Sequence, residues 1–150
     1  RATSGIDGST STAVGSALST QKLVTLVTGD MAFLYDRNAL WHNYLPDNLR
    51  VVVLNNHGGG IFRMIEGPRK QPELRTYFET EQHQTAQATA QEMGFRYHKI
   101  TEEESLLQLL PSFFDLEGGP QLLEVELESE QNFAVFEAYR KHVTDYIRLK

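Results

Sequence analysis

An aspartate and a pair of asparagines carry the most informative spacing in the chain. Asp30 ends the run Thr28-Gly29-Asp30, and Asn55-Asn56-His57-Gly58-Gly59-Gly60 follows, with Asp30 and Asn56 separated by 26 residues. Each run closes an apolar stretch that reads as a strand, and the interval accommodates one crossover helix and the next strand. Asp30 and Asn56 are therefore expected side by side at the C-terminal edge of adjacent parallel strands, where open α/β sheets hold their ligands. One carboxylate, one amide oxygen and a backbone carbonyl exposed by glycine suit a hard cation such as Mg²⁺. Such an ion takes oxygen donors in octahedral geometry and leaves positions for water and phosphate oxygens. The low protein charge fits a bound polyphosphate, toward which helix N-termini after Gly29-Asp30 and after the glycine triplet would turn their N–H groups. Taken singly, these residues have plainer uses: Asp30 as a helix cap, Asn55-Asn56 as a polar turn, and the glycines as a loop needing positive φ.

The elements that must position these residues follow from hydrophobic periodicity. Continuous Val/Leu/Ile runs at residues 23–27, 51–54 and 122–127, and a weaker alternating run at 95–100, read as strands. The central runs lack alternation, as burial on both faces of a mainly parallel sheet requires. Helix-compatible segments lie between them at 9–19, 32–44, 80–93 (with Gly94 as its stop) and 102–114. The order α-β-α-β-α-β-α-β predicts a doubly wound α/β fold with helices on both faces, and residues 1–150 read as a single domain. A terminal helix carries Phe133, Phe136, Tyr139 or Arg140, Val143, Tyr146 and Ile147 at three- and four-residue spacing. That stripe is read as core packing, with docking on a missing subunit or domain as the sharper alternative.

Composition narrows the function. With 150 residues, 40% of them hydrophobic, the chain has the make-up of one ordinary soluble domain, able to bury roughly 70% of its unfolded surface. Fourteen basic against twenty acidic residues give a net charge of -6 and a pI of about 5.3, which argues against nucleic acid. No apolar run is long enough for membrane insertion. The absence of cysteine excludes a disulfide framework, thiolate metal sites and a cysteine nucleophile, and is compatible with a cytoplasmic location. The chain opens at Arg1 without a signal segment and reads as an excerpt of a longer protein. His42, His57, His83, His98 and His142 include no close metal-ligand spacing, which disfavours zinc, and His57 reads as a solvent-facing loop residue. No GxxxxGK[ST], GxGxxG or GxSxG motif occurs, so nothing supports a Walker loop, a dinucleotide fingerprint or a hydrolase triad.

Gly29-Asp30-Met31 followed by Asn55-Asn56 resembles the GDx…NN signature of the thiamin-diphosphate-dependent enzymes. The opening Arg1-Ala2-Thr3-Ser4-Gly5-Ile6-Asp7-Gly8-Ser9-Thr10-Ser11-Thr12, with residues 29–36 and 55–62, is similar to one branch of that family, the decarboxylating synthases of menaquinone biosynthesis. The resemblance implies that Mg²⁺, or Mn²⁺, is held by the Asp30 and Asn56 side chains and the Gly58 carbonyl, and bridges the cofactor's diphosphate. It further implies that Gly29, Met31, Ala32 and the turn from Gly59 to Ile61 contact that diphosphate through the backbone. Ala32 stands where the family commonly has Ser, so only the main-chain donor remains there. Ser4 and Gly5 would lie beside the aminopyrimidine, Ile6 would bend the cofactor, and Ile61, Phe62 and Ile65 would form an apolar wall. Arg1 would contact substrate, although Ala2 replaces the glycine of the family pattern.

By the same resemblance the intact protein would decarboxylate 2-oxoglutarate and add the succinyl unit to isochorismate. Both substrates are dicarboxylates that a guanidinium fork matches. The family's activating glutamate comes from the pyrimidine-binding domain of a second subunit in a homodimer or homotetramer, so no catalytic residue is expected in this chain. Glu66, Glu73, Glu79 and Glu81 read as solvated charges. Arg63, Arg69, Lys70 and Arg75 read as a solvated mobile loop, with dicarboxylate attraction or gating second. An acetolactate-synthase-like relative is the alternative within the class, against which Ser4-Gly5-Ile6-Asp7-Gly8 argues. A non-catalytic α/β interaction module, with Asp30 as a cap, is the alternative outside it.

Overall fold

The computed structural model describes residues 5–148, which divide into two compact units: those of Arg1–Asn55 with Gln84–Glu126, and those of Asn56–His83 with Leu127–Lys150.

The first unit is a four-stranded, wholly parallel sheet in the order β1-β2-β4-β3, formed by β1 (Val24–Gly29), β2 (Leu49–Asn55), β3 (Arg96–Ile100) and β4 (Gln121–Glu126). The period of two sorts each strand's side chains between two cores. Leu49, Val51, Val53 and Leu122 face a cluster with Ala13, Val14 and Ala17 of α1 (Ser9–Leu18), Phe33 of α2 (Asp30–Tyr35), Leu40, and Ala90 of α5 (Gln87–Glu92). Val52, Leu123 and Val125 face the opposite way, onto Leu106, Leu109 and Phe113 of α6 (Glu103–Phe113). Strand order explains the division: β1 to β2 and β2 to β3 step in one direction, whereas β3 to β4 steps back. Right-handed crossovers therefore put α6 on the other face.

Two helices are shorter than periodicity suggests, and each has a local cause. The segment expected helical over 32–44 is α2 and then a 3₁₀ turn at Arg37–Leu40, separated by Asp36 at φ −109° and ψ 17°. Asp36 leaves the ladder because its carboxylate caps α1: the Ser11 N–H and hydroxyl each donate to it at 2.8 Å. The cap α1 has in its own sequence is Gly8, which offers no side chain. The helix expected over 80–93 is confined to α5: Thr80 sits at φ 46°, outside any helix, and the Gln82 N–H is taken by the His57 carbonyl at 3.0 Å. Gly94 does stop α5 as expected, at φ 78°, with the Phe95 N–H returning to the Ala90 carbonyl at 2.8 Å.

The second unit contains α3 (Ile61–Met64), α4 (Glu66–Arg69), a π-helical turn at Leu74–Phe78 and α7 (Ser129–Arg148). Gly67 and Pro68 fall inside α4, which accounts for its four-residue length. On α7, Phe133, Phe136 and Val143 are half-buried, and the Arg69 guanidinium lies 5.3 Å from the Phe133 ring centroid. Tyr139, Tyr146 and Ile147 are exposed, so core packing accounts for only part of the stripe. No helix among the described residues is long and apolar enough to cross a membrane.

Candidate functional site

In the first unit, β1 and β2 end level: Gly29 pairs with Leu54, so Asp30 and Asn55 stand at neighbouring strand ends. Asp30 opens α2 and is only 2% exposed, and a carboxylate there is favoured by the helix dipole. Asn55 is anchored in a buried network. Its Nδ2 donates to Glu124 Oε1 at 2.6 Å and to the Gln84 carbonyl at 3.1 Å. Glu124, fully buried on β4, also accepts from the Ala86 N–H at 3.0 Å and the Tyr97 hydroxyl at 2.6 Å. Neutral donors thus satisfy a buried carboxylate, and one of them is the amide that opens α5. Asn55 therefore serves to hold the end of β2. Glu124 escaped the sequence reading, although an acid inside a run expected to be buried on both faces was a usable signal.

Burial first, and then the hydrogen bond to Glu124, pushes the Tyr97 phenol well above the ordinary tyrosine value of 10.0. The folded pKa is raised, so this contribution to stability is intact below about pH 10 and is lost as the pH rises beyond it. Tyr97→Phe is expected to flatten the alkaline decline of Tm measured across that range. An unchanged slope would remove Tyr97 as its source.

In the second unit, the loop after Asn56 is shaped by close approach rather than by handedness. None of Gly58, Gly59 and Gly60 has positive φ, whereas His57 does, at 61°. A Cβ on Gly58 would lie 2.7 Å from the Glu79 carbonyl oxygen, and one on Gly60 would lie 2.4 Å from Asn56 Nδ2. Backbone bonds complete the loop. Gly59 N–H donates to the Glu79 carbonyl at 2.7 Å, Gly60 N–H to the Gly58 carbonyl at 3.0 Å, and Gln82 N–H to the His57 carbonyl at 3.0 Å. Two of the N–H groups expected to face an anion thus already bond within this unit. His57 is half-buried rather than solvent-facing. Asn56, His57 and Gly58 line a cavity of about 390 Å³ together with Arg63, Glu79 and Ser129.

The neighbouring charges differ from expectation. Arg63 pairs with Glu79 at 2.7 Å, Lys70 with Glu66 at 2.5 Å and Arg75 with Glu81 at 3.0 Å. Glu79, read from sequence as solvated, is 5% exposed, and the Arg63 side chain is 14% exposed. Of the expected apolar wall, Phe62 lies against Phe78 with ring centroids 5.8 Å apart, while Ile61 and Ile65 are exposed. Met31 and Ala32 occupy the first turn of α2, where N–H groups have no intrahelical partner. Gly5 and Ile6 are exposed, and Arg1 and Ser4 lie outside the described residues.

Each unit by itself carries hard oxygen donors, the Asp30 carboxylate in the first and the Asn56 amide and Gly58 carbonyl in the second, and the tight loop of the second admits no Cβ at Gly58 or Gly60. This chemistry fits Mg²⁺ with a diphosphate. The family described as thiamine pyrophosphate enzyme, C-terminal TPP binding domain, matches residues 4–125, and the chain belongs to that family. More narrowly, it is 53% identical over 143 residues to the 2-succinyl-5-enolpyruvyl-6-hydroxy-3-cyclohexene-1-carboxylate synthase of Cytophaga hutchinsonii, covering 95% of this chain and 26% of the relative. The synthases of the same name from Christiangramia forsetii and Flavobacterium johnsoniae are 46% and 43% identical, over 83% and 96% of this chain and 22% and 26% of theirs. The chain thus spans about a quarter of the length of these curated relatives. A solved structure, the Rhodococcus jostii RHA1 thiamine diphosphate-dependent 4-hydroxybenzoylformate decarboxylase, shares the fold with a TM-score of 0.62 and 24% identity, over 77% of this chain and 22% of that one.

Proposed function

We propose that this chain is the diphosphate- and Mg²⁺-binding part of a synthase that decarboxylates 2-oxoglutarate and adds the succinyl unit to isochorismate in menaquinone biosynthesis. The observation that carries the reading is the oxygen-donor set of Asp30, Asn56 and Gly58, within a sequence 53% identical to a synthase of that name. Asp30, Asn56 and the Gly58 carbonyl would hold the metal, with Mn²⁺ as a substitute. Gly29, Met31, Ala32 and Ile61 would hold the diphosphate, with Gly59, whose N–H is taken by the Glu79 carbonyl, beside it rather than donating to it, and Ser4, Gly5 and Ile6 would hold the aminopyrimidine end. When bound, thiamin diphosphate supplies the carbanion stabilisation that decarboxylation of a 2-oxo acid needs. The chain's own task is to bind and orient it. Phe62 and Ile65 would keep water from the reacting end, and Arg1 would pair with a substrate carboxylate.

On this reading the activating glutamate and the second wall of the site come from the pyrimidine-binding domain of another subunit, in a cytoplasmic homodimer or homotetramer. The chain alone is then expected to release no CO₂ from 2-oxoglutarate, while the intact synthase consumes 2-oxoglutarate and isochorismate together. The test is isothermal titration of thiamin diphosphate into the intact synthase, with Mg²⁺ and with chelator. Binding that needs the metal supports the reading, and no binding under either condition would sink it.

A further inference from the structure

We infer that Glu79 is a positioning residue for the glycine loop: its ion pair with the half-buried Arg63 fixes the backbone carbonyl on which Gly58 and Gly59 rest, and thereby sets how firmly the loop holds its ligand. The inference rests on the proposed reading of Asn56 to Gly60 as part of the cofactor site.

Glu79 is engaged at every polar group. Oε1 accepts from Arg63 Nε at 2.7 Å and from the Ser129 hydroxyl at 2.9 Å, and Oε2 accepts from Arg63 Nη2 at 2.8 Å. This is the two-pronged guanidinium–carboxylate geometry that fixes orientation as well as distance. On the backbone, the Glu79 N–H donates to the Leu74 carbonyl at 2.8 Å, and its carbonyl receives the Gly59 N–H at 2.7 Å. The next residue, Thr80, sits at φ 46°, a conformation that a β-branched residue keeps only when its surroundings impose it.

The contact with the loop leaves little room. The Glu79 carbonyl oxygen occupies the space a Cβ of Gly58 would need, and the Asn56 amide lies closer still over Gly60. A shift of Glu79 therefore bears directly on Gly58 and Gly59, which lie in the same short loop as Asn56 and Gly60. Stability alone is a weak reason to keep such a pair, because buried ion pairs are often no better than apolar replacements of similar volume. A positioning role gives the charges a use that packing cannot replace.

The test compares Glu79→Gln, the apolar pair Arg63→Met/Glu79→Leu and Asn56→Ala in the intact synthase. It reads Tm, the Kd for thiamin diphosphate at saturating Mg²⁺, and the split between KM for the cofactor and kcat. Outer-shell partners of metal sites typically change affinity by about 10- to 100-fold. Glu79→Gln is expected to raise Kd by about tenfold and KM with it, with kcat retained at saturating cofactor. In the apolar pair, Kd is expected to stay raised even where Tm returns. A Kd unchanged in Glu79→Gln, or one that follows Tm back to the parent value in the apolar pair, overturns the positioning role. Unchanged binding in Asn56→Ala would instead remove the loop from the cofactor site and withdraw the inference with it.

Discussion

Asp30→Ala is expected to weaken Mg²⁺-dependent binding of thiamin diphosphate to the intact synthase by at least about 100-fold, the upper end of what loss of an outer-shell partner costs. The reasoning is electrostatic. Asp30 supplies the only carboxylate in the proposed donor set, and it is 2% exposed, so water has little access with which to replace a lost oxygen. A capping role makes a different prediction. A carboxylate in the first turn of a helix contributes about 0.3–1 kcal/mol, and α2 has only six residues, so a cap would cost a small Tm shift and leave the response to metal unchanged. Titration with Mg²⁺ and with chelator, alongside a melting curve, separates the two. Affinity within about threefold of the parent protein would exclude Asp30 as a ligand.

Strands were the most legible part of this chain. Residues buried on both sheet faces are apolar at consecutive positions, as at Val51 to Val53, and that pattern survives any detail of packing. Helix extents were legible only where the termini are local. Gly94 ends α5 by its own conformation, whereas Asp36 interrupts the segment after β1 because its carboxylate serves Ser11, 25 residues away. The motif carried Asp30 and Asn56 but not the residues that hold their neighbours. Glu124 anchors Asn55 across 69 residues, and Glu79 underlies Gly59 from beyond the π-helical turn. Such partners have no fixed spacing from what they hold. The glycine triplet was legible as a loop, but its cause was not: positive φ is absent at all three positions, and the need for glycine comes from atoms of Glu79 and Asn56.

Arg50 illustrates the same limit and carries the largest expected effect on stability. Its position beside the apolar run of β2 gives no hint that it is fully buried. Among the described residues the guanidinium donates only to backbone carbonyls: Phe113 at 2.5 Å, Asp47 at 2.8 Å, Leu49 at 2.9 Å, Gly119 at 3.1 Å, and Asp115. It thereby binds the C-terminal end of α6 and the turn leading to β4 to the lower edge of the sheet. Burial pulls its pKa below the ordinary arginine value while Asp115 and Asp47 pull it back up, and an arginine so placed stays charged. Arg50→Met keeps most of the volume but leaves these carbonyls without their donor. Each buried acceptor left without a donor costs about 1–3 kcal/mol, so the expected loss is at least about 3 kcal/mol, seen as a fall in Tm of roughly 6–12 °C or more. Arg50→Lys is expected to recover less than half of it, because one ammonium with three donors cannot span carbonyls that five guanidinium N–H groups reach. The loss should be accompanied by faster amide exchange over residues 114–119, the segment Arg50 ties down. A Tm shift under about 3 °C in Arg50→Met would mean that water replaces the guanidinium at these carbonyls, and that the fold does not depend on the clamp.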